Sequence, residues 1–132
     1  MKVCVQGLWH LGSVTAACLA SVGHEVIGLD SNCDVILGLR SGRPPLFEPA
    51  LEALIMECIS RGNLQFTCDA SDALKDIEVL WVAFDTPVDA DDLADTGRVV
   101  DEIISVIQHV PNNVLILVSS QLPVGSISKL EL

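Results

Sequence analysis

Apolar and polar positions fall into short blocks along this chain, and the period of the pattern changes from block to block. Lys2 to Gln6 alternate into an apolar strand, and Gly7 turns the chain. Gly12 opens a run of small and apolar residues that predicts a helix through Val22, and Gly23 ends it. Glu25 to Leu29 predict a second strand, closed by Asp30. Asn32 to Leu39 predict a short helix, which Ser41-Gly-Arg-Pro-Pro breaks. Phe47-Glu-Pro-Ala-Leu leads into a longer helix, with Pro49 suited to its first turn and Gly62 to its end. A strand at Leu64 to Thr67 follows, then a helix through Leu74 capped by Asp69 and Ser71, then a strand at Val79 to Phe84. Beyond an acidic loop, Asp85 to Thr96, a helix from Gly97 to Val110 sets Val99, Val100, Ile103, Ile104 and Ile107 on its buried side. Pro111-Asn-Asn turns into a fifth strand, Val114 to Val118. The loop Ser119 to Gly125 follows, and Ser126 to Leu132 opens another helix.

Strands that alternate with helices predict an α/β fold with a doubly wound parallel sheet (Rossmann-like) in the order 3-2-1-4-5. The runs Val79 to Phe84 and Val114 to Val118 lack polar alternation, which suits parallel strands covered on both faces. In such sheets a ligand sits beyond the carboxyl ends of the strands, where the order reverses. That edge gathers Gly7 to Gly12, Asp30, Asp85-Thr86-Pro87 and Ser119 to Leu122.

The first thirty residues have the layout of a dinucleotide-binding βαβ unit. Gly7 permits the sharp turn, and Gly12 lets helix and sheet pack closely. The helix N-terminus offers free N–H groups and partial positive charge to a pyrophosphate. Asp30 accepts hydrogen bonds from ribose hydroxyls and repels a 2′-phosphate, which favours NAD over NADP. The middle glycine of the pattern is Trp9, so the segment reads G-x-W-x-x-G. The alternative is a βαβ unit that binds nothing.

The length of 132 residues suits one domain. Half the residues are hydrophobic and the mean hydropathy is +0.50, yet no apolar run nears the roughly 18 residues of a membrane span. Part of the excess fits a face that meets another domain or subunit, which leaves a homodimer open. A net charge of −11 argues against nucleic acid and anionic membranes as partners. The N-terminus passes straight into a strand, so no cleaved leader is expected. Five cysteines form no C-x-x-C pair. Cys4 and Cys18 read as small core residues, and Cys33, Cys58 and Cys68 are scattered. A reduced, cytoplasmic protein without a metal site is the expectation. Asp85, Asp89, Asp91, Asp92 and Asp95 lack a calcium loop's glycine and glutamate in register, so a solvated loop is expected.

The ordered motifs resemble the NAD-binding domain of the UDP-glucose/GDP-mannose dehydrogenase family. G-L-W-H-L-G-S-V-T-A-A-C-L-A is similar to its glycine turn and first helix, and H-E-V-I-G-L-D to its second strand and ribose acid. F-E-P-A-L resembles its Y-E-P-G-L, D-T-P at Asp85 to Pro87 its G-T-P, and S-Q-L-P-V-G at Ser120 to Gly125 its S-T-V-P-V-G. The resemblance covers the whole chain. It implies oxidation of a sugar C6 alcohol in two steps, through an aldehyde and a covalent thioester, with two NAD. The family's nucleophilic cysteine, its lysine and its sugar-nucleotide contacts lie in later segments, so this chain is expected to be a single cofactor domain that does not turn over alone. Four positions depart from the family and bear on affinity. Trp9 replaces the middle glycine, Asp85 the glycine before Thr-Pro, and Gln121 a threonine; Val35 stands where relatives place a basic residue.

The expected cofactor contacts are Gly7, Leu8, Trp9, His10, Leu11, Gly12, Asp30, Thr86, Pro87, Ser120 and Gln121. No catalytic residue and no metal ligand is assigned. Thr86 and Ser120 enter on the resemblance, as hydroxyl donors. Trp9 is open between stacking on a base or nicotinamide, lying against a neighbouring domain, and contributing only its backbone. His10 is expected to pack. Glu48 is expected to favour a helix dipole, and Arg40 and Arg43 to be solvated or held in a loop. Two other functions stay open: a non-catalytic nucleotide-binding or interaction module, and a hydroxyacid or ketopantoate-type reductase. F-E-P-A-L and the late P-V-G loop argue against the second.

Overall fold

The computed structural model describes residues 1–86 and 88–130. Pro87, and the last two residues of the expected terminal helix, lie outside the described residues. Five parallel strands form one sheet in the order β3-β2-β1-β4-β5. They are β1 (Lys2–Gln6), β2 (Glu25–Leu29), β3 (Leu64–Thr67), β4 (Val79–Val82) and β5 (Leu115–Val118). The helices are α1 (His10–Ser21), α2 (Cys33–Arg40), α3 (Leu51–Arg61), α4 (Ala70–Ala73), α5 (Thr96–Ile107) and α6 (Ser126–Leu130). The expected strand order and helix alternation are both present.

Alternation along the strands builds two cores, one on each face. Val3 and Val5 of β1 join Ala16, Ala17 and Ala20 of α1, Ile36 and Leu39 of α2, and Ile55 of α3. Cys4 faces the other way, with Leu80 and Val82 of β4 and Val99, Ile103 and Val106 of α5. Burial pushes the Cys4 thiol up to about 12. A one-residue slip of β1 would exchange these faces, and each buried aliphatic side chain contributes about 1.5–3 kcal/mol, so the register is strongly specified. Gln6 fills the last inward position. Its Nε2 donates to the Glu102 carbonyl at 3.0 Å, tying the end of β1 to α5.

Several expectations give way. α1 starts at His10, so Gly12 lies inside its first turn rather than opening it. α3 starts at Leu51, beyond Pro49, because Ala50 breaks the helical path at φ 65°. Ile104 is exposed, since the wide apolar stripe of α5 exceeds what the sheet covers. Strand β5, at the sheet edge, is also bare: Leu115 is 62% exposed and Ile116 and Leu117 are exposed as well, because neither face of these three positions is covered among the described residues. Cys18 is exposed on α1, whose sheet-facing side is taken by alanines. Cys33, at the start of α2, and Cys68, just after β3, are joined as a disulfide, where reduced cysteines were expected. They are 35 residues apart in sequence, but β2 and β3 are adjacent, and the bridge ties their carboxyl ends.

Candidate functional site

The turn from β1 into α1 is held by its glycines. Gly7 takes φ +89°, and a side chain there would strike Phe84 at 2.6 Å. Its N–H donates to the Leu29 carbonyl at 2.9 Å, hanging the turn from the end of β2. Gly12 lies against the turn so closely that a Cβ would overlap the Gly7 carbonyl. The buried Ser13 hydroxyl donates to the Leu8 carbonyl at 2.6 Å. Residues 7–12 are thereby fixed in one course, with backbone able to approach a ligand.

Asp30 stands at the end of β2 over this turn. Its Oδ2 accepts the Leu8 N–H at 2.8 Å, and its Oδ1 accepts the Asn32 N–H at 2.8 Å. A carboxylate oxygen has about two acceptor positions, so each still has one for a ribose hydroxyl. Beside it opens a crevice of about 380 Å³. Leu8, Trp9, Val35 and Phe84 give it apolar wall, and Asp30, Ser31 and Asn32 give it polar wall. From α5 come Arg98 and Glu102; among the lining residues Arg98 alone carries positive charge.

The N-terminus of α1 is not bare. Trp9 stands at its cap position and has no acceptor to offer. Asp85, beyond β4, supplies one: its Oδ2 accepts the His10 N–H at 2.9 Å and the Leu11 N–H at 3.3 Å. Such a cap is worth about 1 kcal/mol to a helix. The His10 ring pairs with Glu48 at 3.2 Å, which ties the start of α1 to the segment that leads into α3. Thr86 donates through Oγ1 to the Gln121 carbonyl at 3.2 Å, joining the loops after β4 and β5. The Ser120 hydroxyl is enclosed and has no partner among the described residues. Arg40 is held, donating to the Phe66 carbonyl at 2.9 Å.

The model of the UDP-glucose/GDP-mannose dehydrogenase family, NAD binding domain, matches residues 1–132. The chain belongs to this family. UDP-glucose 6-dehydrogenase of Pseudomonas aeruginosa is 30% identical over 131 residues, which is 99% of this chain and 29% of the relative. GDP-mannose 6-dehydrogenase of Pseudomonas putida is 38% identical over 87 residues, 66% of this chain and 20% of the relative. The structure of UDP-D-ManNAc dehydrogenase from Pyrococcus horikoshii superimposes with a TM-score of 0.88 at 31% identity, over 98% of this chain and 30% of that one. A ternary complex of GDP-mannose dehydrogenase from Pseudomonas aeruginosa gives 0.88 at 29% identity, over 97% and 30%. The chain thus spans about 30% of the length of these family members. It corresponds to the family's NAD-binding domain, and NAD is the cofactor of that domain.

In this family member the structure brings Leu8, Trp9 and Asp30 to one crevice, with Gly7 and Gly12 building the turn behind them. It brings Thr86 and Gln121 together at the neighbouring strand ends. It does not bring the His10 ring to the crevice wall. Sequence reasoning missed Arg98 and Glu102. Their signal was present: they lie four residues apart at the edge of the helical stripe that buries Val99 and Ile103. It noted that Asp85 departs from the family but not its contact, because a cap supplied from a distant loop leaves no local pattern.

Proposed function

We propose that this chain seats NAD in the crevice beside Asp30, as the cofactor domain of an enzyme that oxidises the C6 alcohol of a UDP- or GDP-linked sugar. When bound, NAD supplies the acceptor for the hydride leaving the alcohol carbon. The observation that carries the reading is Asp30, pinned at the end of β2 by the Leu8 and Asn32 amides with acceptor capacity left for a ribose diol. The donor set fits the cofactor. The glycines pack the turn so tightly that side chains would break its course, which leaves backbone to face the strand ends, and the enclosed Ser120 hydroxyl has no partner among the described residues.

In this reading the backbone of Gly7, Leu8, Trp9, His10, Leu11 and Gly12 flanks the pyrophosphate. Asp30 takes the adenosine ribose and rejects a 2′-phosphate. Trp9 and Val35 offer apolar surface to the base, and Arg98 offers the counter-charge. Thr86, Ser120 and Gln121 serve the other half of the dinucleotide, and the family resemblance adds Pro87 to them. The 132 residues form the single cofactor domain, and the sugar nucleotide is held by other segments of a complete enzyme. A cytoplasmic location goes with the dehydrogenase reading, although the Cys33–Cys68 bridge is not what a reducing compartment favours, and the bare β5 edge is a surface available to a homodimer. Asp85 favours the second reading, a non-catalytic module with an altered cofactor site.

Calorimetric titration of the chain with NAD and then NADP separates them. Binding of NAD, at least about tenfold tighter than NADP, supports the cofactor domain. A folded chain that binds neither contradicts it.

A further inference from the structure

We propose that Asp85 is a built-in competitor for the cofactor's pyrophosphate, so that this residue sets how tightly the site takes a dinucleotide. The inference rests on the NAD reading above. Three observations meet at one place. The N-terminus of α1 presents N–H groups and partial positive charge, the feature that attracts phosphate. The Asp85 carboxylate already accepts the His10 and Leu11 amides of that N-terminus, at 2.9 and 3.3 Å. Asp85 also lines the crevice that Asp30 lines, so the two acids address the same ligand volume.

An anion entering this seat must do one of two things. It can share the amides with a carboxylate, and like charges that close repel strongly. Otherwise it must displace the carboxylate and forgo the cap it provides. Displacement is feasible, because Asp85 is exposed and sits in the loop after β4, outside any strand. The Trp9 side chain cannot take over the cap, because it carries no acceptor. Asp85 therefore holds the seat when no ligand is there, and swings aside when a pyrophosphate arrives. Two properties are linked as a result: what Asp85 adds to the folding of α1 it subtracts from dinucleotide affinity. Adenosine lacks a phosphate and should not sense the residue.

The test compares the parent chain with Asp85→Gly and Asp85→Asn, each checked by circular dichroism for native helix content. NAD and adenosine are titrated calorimetrically. Inorganic pyrophosphate is followed through the backbone amide resonances of His10 and Leu11. NAD and pyrophosphate should bind Asp85→Gly about tenfold tighter than the parent, Asp85→Asn should fall between, and adenosine should not change. The Asp85→Gly chain should also melt at a lower temperature. Equal NAD affinity in parent and Asp85→Gly would overturn the proposal, and so would an equal gain for adenosine. If NAD binds neither protein but pyrophosphate moves the two amides more readily in Asp85→Gly, the competitor role stands and the NAD reading fails. If pyrophosphate moves them in neither, the competitor role falls.

Discussion

Asp30 and Asp85 are both carboxylates bonded to the backbone of one turn, yet they bear on a ligand in opposite ways. Asp30 spends one acceptor position per oxygen on Leu8 and Asn32 and keeps others, which is what the proposed contact with a ribose diol needs. Asp85 spends its contact on the amides an anion needs. Placement alone separates the roles. The same logic of a single position applies at Ala50, which adopts φ 65° where the resembling motif has glycine. Left-handed backbone is unfavourable for a residue with a Cβ, by roughly 1–2 kcal/mol, and glycine gives back part of that through a freer unfolded chain. Ala50→Gly is therefore expected to stabilise the chain by about 0.5–1 kcal/mol, read as a higher urea midpoint with an unchanged m-value. Residue identity made Asp30 and the turn glycines legible in the sequence. It did not reveal that Asp85 reaches α1, since that contact joins positions 75 apart.

Elements were more legible than their ends. Gly7, Gly23 and Gly62 stand just past β1, α1 and α3, Asn32, Asp69 and Asp95 cap α2, α4 and α5, and the five strands appear where the apolar blocks stand. Boundaries moved where local backbone overrode pattern, as at Ala50 before α3, and where a cap came from afar, as at α1. Coverage was misread at β5 and Ile104, because an apolar block does not announce whether anything packs on it. The best-capped short element is α4. The Asp69 carboxylate is held below the usual carboxylate range by the Ser71 hydroxyl at 2.7 Å and by the Asp72 and Ser71 amides. A lowered folded-state value means stability that is present above the ordinary carboxylate range and lost as pH falls through Asp69's own value. Asp69→Ala should thus lower the melting temperature at neutral pH, and the gap to the parent should close in acid. A gap that persisted at pH 2 would assign the loss to packing instead.

At the scale of the molecule, the doubly wound order turns scattered residues into a site. β1 lies between β2 and β4, so the turn after β1, the acid after β2 and the loop after β4 end on one edge. The Cys33–Cys68 bridge adds a covalent tie between the ends of β2 and β3, close to Asp30. This convergence was readable from strand order alone. The pairing of the cysteines was not, because strand order brings the ends of β2 and β3 together without fixing where residues 33 and 68 fall beyond them. The central claim is that NAD occupies the crevice between the glycine turn, Asp30 and the strand ends. The most direct test follows the backbone amide resonances of the isotope-labelled chain as NAD is added. The account predicts saturable shifts concentrated at residues 7–12, at Asp30 to Asn32, at Thr86 and at Ser119 to Gln121. Shifts confined to other surfaces, such as the exposed face of α3 or the β5 edge, or no shifts at all in a folded chain, would contradict it.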